Sequence, residues 1–217
     1  DRLCAMADMP KPRVGIANSE APKAFASARA PSRSVVVGTT GLLRRLNRDE
    51  LEGVLAHELS HVAHRDVTVM TVASFTAILA GFMVRSAMWG SMMRGRRDQN
   101  TALVFIGVMV VSVIVYCVSY VLINALSRYR ELGADRGAAL LTGKPSALAS
   151  ALTKISGDMA TIPTRDIRQM EAVSAFAFAP AVAGKREFTL EQWFSTHPPL
   201  EKRLAQLASI AGELGHR

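Results

Sequence analysis

Two long stretches of the chain carry no charge: residues 67–84, about 18 residues, and residues 101–126, about 26. The hydrocarbon core of a bilayer takes roughly 20 apolar residues of helix. The second stretch therefore predicts a membrane-spanning helix. The first is near the lower limit and predicts either a second span or a re-entrant helix packed on protein. Upstream, Leu51, Val54, Leu55, Leu59 and Val62 recur at helical spacing over residues 48–64. Asn47 is placed to cap that helix, and Glu50, three residues on, to close a capping box. Residues 13–16 and the β-branched run 34–40 predict two short strands, the second ended by Gly41. Residues 3–9 predict the end of a helix. The second apolar run continues into a charged segment, and Gly143, Lys144 and Pro145 end it and open a helix over about 145–156. Residues 157–190 read as loop, with a small-residue stretch at 172–183. The chain closes on an amphipathic helix with Leu200, Leu204, Leu207 and Ile210 inward. These elements predict a mainly α chain with a small β-sheet and an inserted hairpin of apolar helices. Residues 1–66 form an N-terminal α/β part, 67–126 the hairpin, and 127–217 a C-terminal helical part.

The formal charge of +8 adds a constraint. A basic surface for nucleic acid would set its Lys and Arg among aromatic residues, and aromatics are only 6% of the chain. Membrane topology explains the charge better, and no nucleic-acid partner is expected. Arg48, Arg65, Arg128, Arg130, Arg136 and Lys144 flank one end of the hairpin. Arg85, Arg94, Arg96 and Arg97 lie in or beside its connecting loop. The excess predicts that the first group faces the cytoplasm. Cys4 and Cys117 suggest neither a disulfide framework nor a cysteine metal site, as in a reducing compartment. The chain begins at Asp1, with neither an initiator methionine nor a signal peptide, which predicts a segment of a longer protein.

The helix at 48–64 contains His57-Glu58-Leu59-Ser60-His61. Two histidines four apart share a helix face, so both imidazoles reach one metal ion, and the intervening glutamate can act on a water held there. That is the pattern of a zinc hydrolase acting on peptide bonds. The competing reading is a solvated face, against which the apolar setting of the segment argues. After the second apolar run come Glu131 and Asp135, also four apart. If their helix packs on 48–64, Glu131 supplies a third zinc ligand. Asp135 then accepts a hydrogen bond from a ligand histidine and fixes its tautomer. Alternatively, the segment is a membrane helix leaving the bilayer through a charged patch. The strand at 34–40 is either a sheet edge on which an extended substrate pairs or an ordinary core strand. His197, held before Pro198 and Pro199, either reaches the pocket or lies in a surface turn, and Arg203 can join it.

Taken in order, HELSHVAHRD, SRYRELGAD after the hairpin, and STHPPLEKR near the end resemble the HtpX-type membrane zinc metalloproteases, relatives of the Ste24 and Oma1 proteases. The resemblance covers essentially the whole chain. It implies a gluzincin-like metalloprotease domain with one Zn²⁺ per chain, held by His57, His61 and Glu131, with Glu58 as base and Asp135 beside them. His197 and Arg203 match the family's late His and Arg beside the active site. It further implies a multi-pass protein of the bacterial inner membrane with its site facing the cytoplasm. Its substrates would be misfolded or damaged membrane proteins, cut by attack of a zinc-bound water. The oligomeric state is left open. The rival is a catalytically inactive membrane scaffold with a structural metal site. Members usually carry two further membrane helices at the N-terminus. An asparagine common before the Ala24-Phe25-Ala26 segment is Lys23 here. A metzincin site is excluded by spacing, since it needs Gly at His64 and His at Val67.

Overall fold

The computed structural model describes residues 1–28, 30–93, 99–159 and 198–215. The chain divides into two compact units. One joins Asp1–Val67 to Arg128–Arg217, and the other is Thr68–Ser127.

The first unit opens with α1 (Arg2–Met6), followed by β1 (Arg13–Ala17), β2 (Ala24–Ala28) and β3 (Ser34–Thr39). The sheet order is β1-β3-β2. β1 runs parallel to β3, and β2 pairs antiparallel with Ala26 opposite Val36. This overturns the reading of residues 34–40 as a substrate edge. β3 is the central strand with both flanks occupied, as its run of three valines suits. The edges belong to β1 and β2. Thr40 and Gly41 do not end the strand in a turn but begin α2 (Thr40–Arg45). The Thr39 hydroxyl accepts from the Leu42 N–H at 3.2 Å and caps it.

α3 (Arg48–Ala63) starts at the expected capping box. The Asn47 side chain accepts from the Glu50 N–H, and the Glu50 carboxylate accepts from the Asn47 N–H, both at 2.9 Å. One face of α3 packs through Leu59 on Val36 of the sheet and Cys4 of α1. Its other apolar face joins Leu42, Leu46, Ala138 and Ala139 and meets α6 (Pro145–Met159) and α7 (Leu200–Glu213) through Leu148, Leu207 and Ile210. A Cβ added at Gly53 would come 3.3 Å from Leu148, so the glycine lets α3 and α6 approach closely.

Glu50 also ties α3 to α6. Its carboxylate accepts from Ser150 at 2.6 Å and from Lys154 at 2.8 Å. Burial works against its charge. Lys154, Ser150 and the Asn47 N–H outweigh that and hold its pKa at about 2, against an ordinary 4.5. A depressed carboxylate adds stability that is present above the unfolded pKa and lost as pH falls through the folded one. The melting temperature in detergent should therefore fall between about pH 4.5 and about pH 2, and less steeply in Glu50→Gln.

α4 (Asp66–Met93) and α5 (Gln99–Thr142) supply the second unit with their apolar lengths. α4 runs past the uncharged stretch 67–84 and through Arg85, because arginine is a good helix former. Both helices are long and apolar enough to cross a membrane, and only 6% and 11% of their apolar windows are buried. Val72, Phe75, Ile78, Phe82 and Val121 are all exposed. The core helix of a water-soluble protein would be covered, and surface of this kind calls for lipid. α5 ends at Gly143, which takes φ +66° and donates its N–H to the Ala139 carbonyl at 2.9 Å. Helix α6 reaches Met159, past the expected loop start at 157. The rest of that loop, its small-residue stretch at 172–183 and His197 lie outside the described residues.

Candidate metal centre

The site lies in the first unit, where α3 and the last turns of α5 meet. Ala134 and Ala138 of α5 are fully buried, and a Cβ at Gly137 would fall 2.7 Å from the Ser60 hydroxyl of α3. These small residues let the two helices lie close enough for Glu131 to reach the histidines of α3.

His57, His61 and Glu131 each offer one ligand atom, and the three atoms lie within 4.8 Å of one another. The two Nε2 atoms are 3.1 Å apart. Glu131 Oε2 is 3.7 Å from His57 Nε2, and Oε1 is 3.5 Å from His61 Nε2. Ligands ~2.0–2.1 Å from a tetrahedral zinc stand ~3.3–3.4 Å from one another. The residues fit that ion. The imidazoles are edge-on, with planes at 89° and centroids 4.7 Å apart, so both rings direct an edge to the same point.

The outer nitrogens explain why the inner ones are available. His57 Nδ1 is 3.0 Å from Asp135 Oδ1, at an angle too bent for a well-formed hydrogen bond. His61 Nδ1 is 2.5 Å from Asp66 Oδ2. A carboxylate beside Nδ1 keeps the proton there and turns the Nε2 lone pair inward. Asp135 is fully buried and held in a fork by Arg203, Nε to Oδ2 at 2.7 Å and Nη2 to Oδ1 at 2.6 Å. Arg203 Nη1 also lies 3.7 Å from Glu131. Arg130 Nη2 is 2.9 Å from Asp66.

The electrostatic balance favours a cation. Among the described residues, the carboxylates of Glu58, Asp66, Glu131 and Asp135 outnumber the nearby guanidiniums of Arg130 and Arg203. Burial opposes a positive charge on His61, but Asp66, Glu131 and Glu58 outweigh it and raise the pKa of the ring. Burial also raises the Glu58 carboxyl, against the pull of the two histidines and of the Ala26 N–H, which donates to Glu58 Oε2 at 2.9 Å. Ala26 belongs to β2, so an edge strand of the sheet passes directly beside this carboxylate.

The structure thus brings together six of the seven residues singled out in the sequence: His57, Glu58, His61, Glu131, Asp135 and Arg203. The seventh, His197, is outside the described residues. His64 caps the C-terminus of α3 and is exposed. Sequence reasoning missed Asp66, Arg130 and the Ala26 amide. Asp66 had a signal, an acid five positions after His61, but only the turn between α3 and α4 brings it back to the ring.

The description "Peptidase family M48" matches residues 1–211 of the chain. "Protease HtpX homolog 1" of Streptomyces coelicolor is 60% identical, over 99% of this chain and 70% of its own length. "Protease HtpX homolog" of Moorella thermoacetica is 52% identical, over 100% and 72%. A homolog from Pyrococcus furiosus is 41% identical, over 99% and 73%. Among solved structures, the crystal structure of S. mikatae Ste24p superposes with a TM-score of 0.59 over 94% of this chain at 17% identity. That likeness is one of fold, and the chain spans 48% of that structure's length.

Proposed function

Because the chain belongs to peptidase family M48, we propose that it is a zinc-dependent endopeptidase of a cell membrane, working at the His57–His61–Glu131 cluster. The observation that carries this reading is the approach of three potential ligand atoms, one each from His57, His61 and Glu131, to within 4.8 Å of one another.

His57, His61 and Glu131 would hold one Zn²⁺, which when bound supplies Lewis acidity toward water and toward the scissile carbonyl. Glu58 accepts the proton of the attacking water and delivers it to the leaving amine. Its half-buried position and raised pKa suit a group that must both take and release a proton. Asp135, locked by Arg203, holds His57 in orientation. Arg203 is thereby a positioning residue. His197 is the donor proposed for the developing oxyanion.

An extended peptide would add to β2, the edge strand beside Glu58, and so present its carbonyl to the base. The lipid-facing apolar helices favour substrates within or at the membrane, and damaged or misfolded membrane proteins fit that placement. The excess of Arg and Lys on the motif side of the hairpin favours a cytoplasmic site. A structural metal site on an inactive scaffold would have no use for a half-buried Glu58 with a raised pKa next to the histidines. The test is cleavage of casein by the full chain in detergent. A chelator should abolish cleavage and added Zn²⁺ restore it. Chelator-insensitive cleavage, or none with zinc bound, would refute the reading.

A further inference from the structure

Each histidine of the cluster has a carboxylate beside its outer nitrogen and an arginine behind that carboxylate, and only His61 makes a well-formed hydrogen bond to its carboxylate. His57 leads to Asp135 and then to Arg203. His61 leads to Asp66 and then to Arg130. The first chain of contacts joins α3, α5 and α7. The second joins α3, the first residue of α4, and α5. We infer that Asp66 is a positioning residue of the metal centre: clamped by Arg130, it sets His61 for its ligand role and ties that role to the roots of the two long apolar helices. This rests on the metalloprotease reading above.

Three observations carry it. Asp66 Oδ2 contacts both partners, His61 Nδ1 at 2.5 Å and Arg130 Nη2 at 2.9 Å, and its side chain is only 6% exposed. A carboxylate this covered is retained only where its charge is met from both sides. The backbone is also bent to place it. Arg65, immediately before Asp66, holds φ +53°, a conformation that side chains other than glycine rarely adopt. That turn ends α3 after His64 and starts α4 with its first carboxylate directed back at His61. Finally, Arg130 precedes Glu131 in sequence, so the residue that clamps Asp66 and the third ligand share one turn of α5. Among the described residues Arg130 Nε is buried with no hydrogen-bond partner, and Nη2 makes the contact to Asp66.

The consequence is a coupling. α4 begins at Asp66 and α5 passes through Arg130, and both helices continue into the lengths apolar enough to span a membrane. Any change that separates Asp66 from Arg130 releases His61, and by reciprocity an ion on His61 favours the closed pair.

The experiment measures Zn²⁺ affinity by chelator competition on the full chain in detergent, together with the visible spectrum of the Co²⁺-loaded protein. The variants are Asp66→Asn, Asp66→Glu, Arg130→Gln and the Asp66→Asn/Arg130→Gln pair. Asp66→Asn should weaken zinc binding roughly 10- to 100-fold and shift the Co²⁺ bands. Asp66→Glu should recover part of the loss. Arg130→Gln should weaken binding too, and the double variant should bind no more weakly than Asp66→Asn alone. Parental affinity and an unshifted spectrum in Asp66→Asn would overturn the inference, and so would additive losses in the double variant. Should Asp66→Asn fail to fold, unchanged affinity in both Asp66→Glu and Arg130→Gln overturns it equally. A parent chain that binds no zinc removes the metal reading itself, whereas a parent that binds alongside an unaffected Asp66→Asn removes only this inference.

Discussion

Replacing Glu58 by Gln should lower turnover of casein by roughly 10²–10⁴-fold while leaving zinc content at the parental level, because a positioned general base is worth about that much. The substitution isolates the proton-transfer role. Glutamine keeps the volume of the side chain and an oxygen for the Ala26 N–H, which now donates to Glu58 at 2.9 Å. It cannot take a proton from water at neutral pH. Glu58 belongs to neither Asp–Arg pair, so both of those should persist. Single-turnover kinetics with zinc analysis on the same sample separates the outcomes. Parental turnover in the variant would remove Glu58 from the chemistry, and loss of the ion would mean that the residue holds the site together.

The second large effect is expected at Glu131. Truncation to Ala would take away the ligand proposed for α5 and leave two imidazoles on one turn of α3. Zinc affinity should fall by more than the roughly 10- to 100-fold typical of residues that merely orient ligands. Thermal unfolding gives an independent readout. An ion present at 1,000 times its Kd stabilises the folded state by about 4.1 kcal/mol, and that zinc-dependent rise should vanish in Glu131→Ala. Arg203 would lose a carboxylate 3.7 Å away but keep its fork on Asp135, so the fold itself should survive.

What could be read in advance follows the range of the interactions involved. α3 was legible because every signal for it is local: the Asn47–Glu50 box, the apolar stripe and the paired histidines all fall within five turns. The apolar helices were legible from composition. β2 was not read as a strand, since Ala24, Ala26 and Ala28 carry little β preference and become a strand only by pairing with β3. For the same reason the central place of β3 was hidden. Its valines suit an edge or a centre, and only the register with two partners decides. α2 was missed because Thr39, Thr40 and Gly41 resemble a turn until the Thr39 hydroxyl is seen capping Leu42.

The site divides in the same way. Glu131 and Asp135 could be paired from their spacing, but their approach to α3 depends on Gly137 and the alanines around it. Arg203 could be placed near the chemistry. That its Nε and one Nη donate to a carboxylate 68 positions away is a tertiary fact. Asp66 lay in plain view beside the motif, and its role turns on one left-handed residue, Arg65, that no propensity would favour. The local parts of the centre are written in the helix, and the parts that tune it are written in the crossings.

Zinc X-ray absorption on the full chain in detergent reads the proposed ligand set itself. The expected spectrum shows one ion per chain with two imidazole nitrogens and a carboxylate oxygen at ~2.0–2.1 Å, and a loss of ordered zinc in Glu131→Ala. An absorption edge without the imidazole pair, or a spectrum unchanged by Glu131→Ala, would contradict it.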